Sequence, residues 1–73
     1  MSLDVIVFPQ SGYANRLQAI ASAAIIADDL AAHSYVCWEQ QAVAAAPAEL
    51  IFDAGFCTDH VVTPDEARRR WGV

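Results

Sequence analysis

The 73-residue sequence contains no lysine, and four arginines are its only cations apart from two histidines. Nine acidic residues give it a formal net charge of −5. Proteins that bind DNA or RNA hold the phosphate backbone with clustered lysine and arginine. The composition therefore argues against a nucleic-acid partner. The one basic cluster, residues 68–70, ends a predicted helix, where cations complement the helix dipole.

Cysteine and long apolar runs are also scarce. Cys37 and Cys57 do not form a CxxC pair and make a poor disulfide framework, so we expect reduced thiols. The most apolar window, residues 17–27, is much shorter than the roughly 20 residues that cross a bilayer. No basic segment precedes it, as one would in a secretory signal. We predict a cytoplasmic protein without a membrane span.

Three short runs have the composition of strands. Residues 4–8 are apolar and β-branched, which is typical of a strand buried on both faces in the centre of a parallel sheet. Residues 34–38 are rich in aromatic and β-branched side chains, and residues 59–62 suggest a third strand. The order of the strands in the sheet, 3-2-1 or 2-1-3, stays open.

Helical patterns lie between these runs. Residues 15–32 are apolar around most of a helix, with one polar stripe at Gln18, Ser22 and Asp29, so this helix needs cover on several sides. Residues 39–48 give conflicting signals, and a short helical turn is predicted near residues 47–52. Thr63, Pro64 and Glu66 form a capping box that opens a final helix. Gly72 is its expected end.

These elements predict one small α/β domain over residues 1–73. The expected architecture is a partial Rossmann-like three-layer unit with a short parallel sheet and the order β-α-β-(short helix)-β-α. Ligands of open α/β sheets lie outside the carboxyl ends of the strands. The candidate site is therefore the loop between the first strand and the long helix.

That loop contains Gly12, Tyr13 and Asn15, and the free amides of a helix start favour a phosphate there. Gly12 could simply shape the turn and Asn15 cap the helix. Glu39 ends the second strand, where dinucleotide-binding folds place the acid that holds a ribose. However, the loop has only one of the three glycines of the dinucleotide motif, and no Gly-Lys-Ser/Thr follows it as in a P-loop.

The sequence gives little support for a metal site or for a catalytic thiol. The spacings His33-x3-Cys37 and Cys57-x2-His60 offer four zinc ligands on paper. In a strand the first two would lie about 13 Å apart, at roughly 3.3 Å per residue. Cys37 lies inside an apolar predicted strand, and Cys57 has no evident activating cation beside it. We expect no bound metal and no nucleophilic Cys/His pair.

One segment resembles a known family. Residues 12–17, Gly-Tyr-Ala-Asn-Arg-Leu, precede a small-residue helix and a strand that ends Val-Cys-Trp-Glu at residues 36–39. This arrangement resembles the G-[FL]-G-N-[RQ]-[LM] segment that opens fucosyltransferase-like glycosyltransferases, with Ala14 at the position of the second glycine. Residues 47–52 are similar to the proline-to-Leu-Phe element that often follows. The resemblance covers about the first 52 residues.

The resemblance implies a GT-B protein, in which two Rossmann-like domains face a cleft and a GDP-sugar usually binds without metal or other cofactor. It implies that Gly12, Asn15 and Arg16 line the cleft. The chain would be an amino-terminal portion that binds a phosphate-bearing ligand weakly and does not catalyse transfer alone. Two alternatives stay open: a non-catalytic α/β module that forms homo-oligomers through its apolar helix surface, and a nucleotide- or anion-binding half-domain.

Overall fold

The computed structural model describes residues 3–40 and 45–73. The elements in these residues are β1 (Asp4–Val7), α1 (Tyr13–Asp29), β2 (His33–Cys37), α2 (Ala48–Ile51), α3 (Ala54–His60), β3 (Val61–Val62) and α4 (Pro64–Trp71). The predicted α/β class and parallel sheet are confirmed, and α3 is an additional helix. The segment with conflicting signals, residues 39–48, lies partly outside the described residues, because it includes residues 41–44.

The sheet has the order β1-β2-β3, and both strand pairs are parallel. Val36 of β2 is in register with Val7 of β1 on one side and with Val61 of β3 on the other. This is one of the two predicted orders. The prediction that β1 is central is wrong, because both crossovers run in the same direction and leave β1 at an edge of the sheet that the described residues form.

Helices cover the two faces of the sheet unequally. Three of them, α1, α2 and α3, pack on the same face, as expected when two crossovers of the same hand run in one direction. On the opposite face only α4 packs among the described residues. The buried core residues are Val36, Trp38 and Ala48 on the first face and Cys37, Val62 and Ala67 on the second.

Helix α1 begins at Tyr13, two residues before the predicted start, because Gly12 is its N-cap and the Gly12 carbonyl accepts from the Arg16 amide. Its buried residues are Arg16, Ala23 and Ala27. Large aliphatic side chains on the rest of the helix stay at the surface, so the sheet covers only one stripe of it. In the described ranges no helix is long and apolar enough to cross a membrane.

The third predicted strand is shorter than expected. Asp53 is the N-cap of α3, and its carboxylate accepts a hydrogen bond from the Phe56 amide at 2.8 Å. The helix that starts there continues through His60, so residues 59 and 60 are helical and β3 begins at Val61. The predicted turn near residues 47–52 is confirmed as α2.

The predicted ends of α4 are confirmed. The Thr63 hydroxyl accepts from the Glu66 amide at 3.1 Å, Pro64 opens the helix, and Gly72 closes it in the left-handed conformation. The capping box is only half formed, because the Glu66 carboxylate pairs with Arg70 at 3.1 Å. A buried residue of α4, Ala67, seats this helix on the sheet.

Candidate functional site

The loop between β1 and α1 lies at the carboxyl edge of the sheet and contains a strained residue. Ser11 has φ of +74°, in the left-handed region that L-residues rarely adopt. Such conformations persist only where the surroundings hold them. Here the Ser11 carbonyl accepts a 2.8 Å hydrogen bond from Arg16 Nε. The bend turns the chain directly into the first turn of α1.

Arg16 is completely buried and connects two loops. Its Nη1 atom donates to the Glu39 carbonyl at 2.8 Å, and its guanidinium carbon lies 4.8 Å from the centre of the Trp38 ring. One side chain thus links the loops that follow β1 and β2. The predicted site residues Arg16 and Glu39 meet, but through the Glu39 backbone. Because the guanidinium is enclosed, Arg16 has no exposed surface with which to contact a ligand. Its role is to position the two loops.

Tyr13 and Trp38 bring a third segment to the same edge. The Tyr13 hydroxyl accepts from the Ala46 amide at 3.0 Å, and Trp38 Nε1 donates to the Ala46 carbonyl at 2.9 Å. The two rings stack with centroids 6.4 Å apart. Both backbone polar groups of Ala46 are therefore held by aromatic side chains at this edge. Beyond it, Phe52 meets Trp38 edge to face at 5.5 Å.

The start of α1 differs from the starts of α3 and α4. Asp53 and Thr63 cap the latter two with side-chain oxygens that occupy an amide. Gly12 caps α1 without a side-chain bond, and no acidic residue lies in the first turn. Asn15 is therefore not the cap, and its side chain is exposed. The amides of this turn have no acceptor within the helix, and such groups are suited to bind an anion.

A small cleft opens between the ends of β2 and β3 and the start of α2. Its volume is about 130 Å³, and its lining includes Trp38, Gln40, Pro47, Glu49, Val62 and Thr63. Ligand pockets for drug-sized molecules have about 300–1,000 Å³. The cleft is thus too small for a nucleotide, and the Glu49 carboxylate disfavours a phosphate inside it. The open start of α1 is the better anion site.

Neither thiol has the character of a nucleophile. Both Cys37 and Cys57 are free, and Cys37 is buried. Burial, followed by the Glu39 carboxylate, raises the pKa of Cys37. Partial burial, Glu49 and Asp53 raise the pKa of Cys57. A raised pKa reduces the thiolate fraction, and the thiolate is the reactive form.

Metal-ligating side chains do not converge within residues 3–40 and 45–73, where no group of three or more could hold an ion. Two histidines, which the sequence placed in separate pairs, do meet at the amino edge of the sheet. The rings of His33 and His60 stack 4.7 Å apart. Nitrogen atoms of these rings bond to the Asp59 and Ser34 carbonyls, so each ring has a structural partner.

The basic cluster lies at the end of α4, as predicted. Arg68 pairs with Asp65 at 3.0 Å. Arg70 lies 4.7 Å from the Tyr35 ring and 4.5 Å from the Trp71 ring, and it donates to the Tyr35 hydroxyl at 3.2 Å. Two of the three arginines are thus engaged within the fold, which agrees with a structural role.

Sequence reasoning missed the part played by Trp38 and by the segment around Ala46. The available signal was an aromatic residue with a polar N–H at the carboxyl end of a predicted strand, because such a group needs a hydrogen-bond partner when it is buried. Local sequence patterns do not indicate which segment supplies that hydrogen-bond partner.

Comparisons with family models, curated proteins and solved structures found no match to this chain.

Proposed function

We propose that this chain is the amino-terminal βαβ portion of a fucosyltransferase-like glycosyltransferase, and that the start of α1 contacts the phosphates of a nucleotide sugar. One observation carries the proposal. The three segments that resemble the family, residues 12–17, 36–39 and 47–52, are separate in sequence but adjacent in space. They join through the bond from Arg16 to the Glu39 carbonyl and through the contact of Trp38 with Phe52.

The open first turn of α1 supports the phosphate assignment. Its amides and the positive end of the helix dipole favour an anion, and no acidic residue lies in this turn. Gly12, Tyr13 and Asn15 are the contacts we assign. Arg16 supports them from below by holding the Ser11 carbonyl. Glu39 stays a candidate for a ribose hydroxyl, because its side chain is exposed at the same edge.

Sugar transfer by these residues alone is not expected. The leaving diphosphate needs positive groups that stabilise its charge, and the arginine at this edge is enclosed. The 130 Å³ cleft supplies no opposing wall for a nucleotide. We therefore expect weak binding, with a dissociation constant near 1 mM, worth about 4 kcal/mol.

The two cysteines are free thiols, which agrees with a reducing compartment, and we propose that the protein is cytoplasmic.

Titration of the ¹⁵N-labelled chain with GDP tests the assignment. We expect amide shift changes at Gly12, Tyr13 and Asn15, and much smaller ones with guanosine, which lacks the phosphates. Shifts concentrated at residues 68–70 would reject the site in favour of the arginine cluster.

A matched pair of variants removes the effect of net charge. Ala14→Asp places a carboxylate in the exposed first turn, where it suits the helix dipole but repels phosphate. We expect it to abolish the GDP-dependent shifts. Ala24→Asp adds the same charge in the exposed middle of α1 and should leave them unchanged. Equal effects of the two substitutions would show that the first turn is not the site.

A second candidate function is a non-catalytic module that self-associates. The observation in its favour is the uncovered surface of α1, where Leu17, Ile25 and Ile26 are 45%, 65% and 51% exposed. Large exposed aliphatic groups on one element are typical of an interaction site. The oligomeric state of the purified chain separates this candidate from a monomeric nucleotide-binding unit.

A further inference from the structure

The outer edge of β1 has no strand beside it within the described residues. The Leu3 carbonyl accepts from the His33 amide, so the peptide groups of Leu3 face β2. Successive residues of a strand direct these groups to alternate sides. Asp4 and Ile6 therefore present their N–H and C=O groups to the outside. These are the groups to which another strand would bond.

Natural edge strands usually carry a device against such pairing, such as lysine, proline, a bulge or an inward charge. The β1 sequence, Asp-Val-Ile-Val, has only Asp4 as a charged residue. Its carboxylate is engaged, because it accepts from Trp71 Nε1 at 3.2 Å. Leu3 and Phe8, which flank the strand, are 52% and 43% exposed. The edge is thus unprotected and bordered by apolar side chains.

One flank of α1 lies above this edge. Ile20 packs against the same core cluster as Phe52 and Phe56, so it lies on the α3 side of the helix. At 3.6 residues per turn, the flank on the other side of the buried Ala23 carries Ala19, Ser22 and Ile26. Asn15 precedes and Leu30 follows on the same flank. We call these five residues the β1-side stripe.

We propose that the partner of this surface is a second copy of the chain, related by a two-fold axis perpendicular to the sheet. The β1 edges pair antiparallel and form a six-stranded sheet, and the two α1 helices pack antiparallel on one face. The spacing fits. Helix α1 packs on both β1 and β2, so the two axes are about two strand spacings, or roughly 10 Å, apart, close to the 8–10 Å of packed helices.

The stripe is complementary to itself in shape and charge. With Ser22 at the axis, the small Ala19 of one copy lies near the larger Ile26 of the other. The last turn of α1 carries Asp29, which opposes its own helix dipole, and the first turn has no acidic residue. Antiparallel packing places Asp29 beside the first turn of the partner helix, where a carboxylate is favourable.

A dimer of standard size buries roughly 800 Å² per copy, about one sixth of the 4739 Å² surface of the chain. The proposed surface consists of the edge, its apolar flanks and the stripe. This inference supplies the surface for the self-associating module, the second candidate above. It competes with nucleotide binding, because Asn15 belongs to both surfaces and Asp29 of the second copy would lie at the first turn of α1. If GDP does not bind, the dimer proposal still stands. If the chain does not dimerise, the nucleotide-binding proposal still stands.

Sedimentation of the full chain over a range of concentrations tests the pairing. We expect a dimer of twice the 7.9 kDa chain mass. Ile26→Lys should raise the dissociation constant at least about tenfold, equivalent to about 1.4 kcal/mol. Ile25→Lys changes the neighbouring and more exposed residue, off the stripe, and should have little effect. A monomer at all concentrations, or equal effects of the two variants, overturns the proposal.

Two further readouts do not depend on the lysine variants. In the wild-type dimer the Ile6 amide should exchange slowly with solvent, because it bonds across the axis. Ser22→Cys should form a disulfide-linked dimer on oxidation, whereas Ala21→Cys, exposed and off the stripe, should not. A dimer with rapid exchange at Ile6, or equal crosslinking of the two cysteines, would mean that the copies meet elsewhere.

Discussion

The two helical layers of this protein are each joined to the sheet by an arginine that lies on an aromatic ring, but in different surroundings. Arg16 of α1 is fully buried over Trp38 and donates to two backbone carbonyls. Arg70 of α4 lies at the surface between Tyr35 and Trp71 and donates to side chains. The first fixes loops in place, and the second adds to a contact that water also reaches.

The two helices also differ in how far their own sequence stabilises them. Helix α4 contains its own start at Thr63, its own stop at Gly72 and ion pairs along its length. Helix α1 has a glycine cap without a side-chain bond, an acidic last turn and a largely uncovered apolar surface. The difference indicates that α4 is specified locally, whereas α1 depends on tertiary contacts, above all those of the buried Arg16, and leaves surface for a partner.

Truncation of the two arginines is the strongest test of this contrast. Arg16→Ala leaves the Ser11 and Glu39 carbonyls unpaired and a cavity under Trp38, so we expect a loss of about 3–4 kcal/mol in the free energy of unfolding. Domains of this size have only about 5 kcal/mol or slightly more in total. Arg70→Ala should cost clearly less, because its partners regain water.

Urea unfolding followed by tryptophan fluorescence measures both losses. Arg69→Ala, an exposed neighbour in the same turn, is the control and should leave the midpoint unchanged. Equal losses at Arg16 and Arg70 would contradict the contrast between a buried clamp and a surface contact.

Removal of the α4 cap has a smaller expected effect. Thr63→Ala deletes the hydroxyl that accepts from the Glu66 amide, and we expect a loss of about 1 kcal/mol in unfolding free energy. Thr58→Ala, at an exposed position inside α3, serves as the matched control. If the two variants unfold at the same urea concentration, α4 does not depend on its local cap.

The smallest effect is expected at the turns that enter and leave α1. Ser11 and Ala31 have φ of +74° and +52°, and glycine adopts this region without a Cβ penalty. Each change to glycine relieves the Cβ strain but increases the backbone entropy that is lost on folding. The net effect should be a rise of about 0.5 kcal/mol in the free energy of unfolding. Ala24→Gly, inside the helix, should lower it by about 1 kcal/mol. A destabilised Ser11→Gly would indicate that the serine side chain has a role of its own.

Local signals predicted the elements best where they were complete. Thr63, Pro64 and Gly72 placed both ends of α4, and the β-branched and aromatic runs placed β1 and β2 within one residue at each end. The α3 helix was missed although Asp53 is a good N-cap, because seven residues that include a glycine and a threonine carry little helix propensity. The short β3 strand was extended into that helix for the same reason.

The sequence likewise predicted only part of the candidate site. The sequence placed Gly12, Tyr13 and Asn15 at a strand–helix junction, because that follows from the order of the elements. It did not indicate that Arg16 would be enclosed or that Trp38 would hold the Ala46 peptide. Contacts between residues 23 or 8 positions apart depend on how loops return to the sheet, which local patterns do not encode.

By itself, the sequence determined the class of the fold, the parallel strands and the position of the junction between β1 and α1, since hydrophobic period, capping residues and chain order act locally. Only the tertiary structure decided that β1 lies at an edge, that Arg16 joins two loops and that one flank of α1 stays uncovered. The physical reason is that a run of apolar residues specifies burial but not the partner. The direction of the crossovers decides which surfaces the chain covers itself.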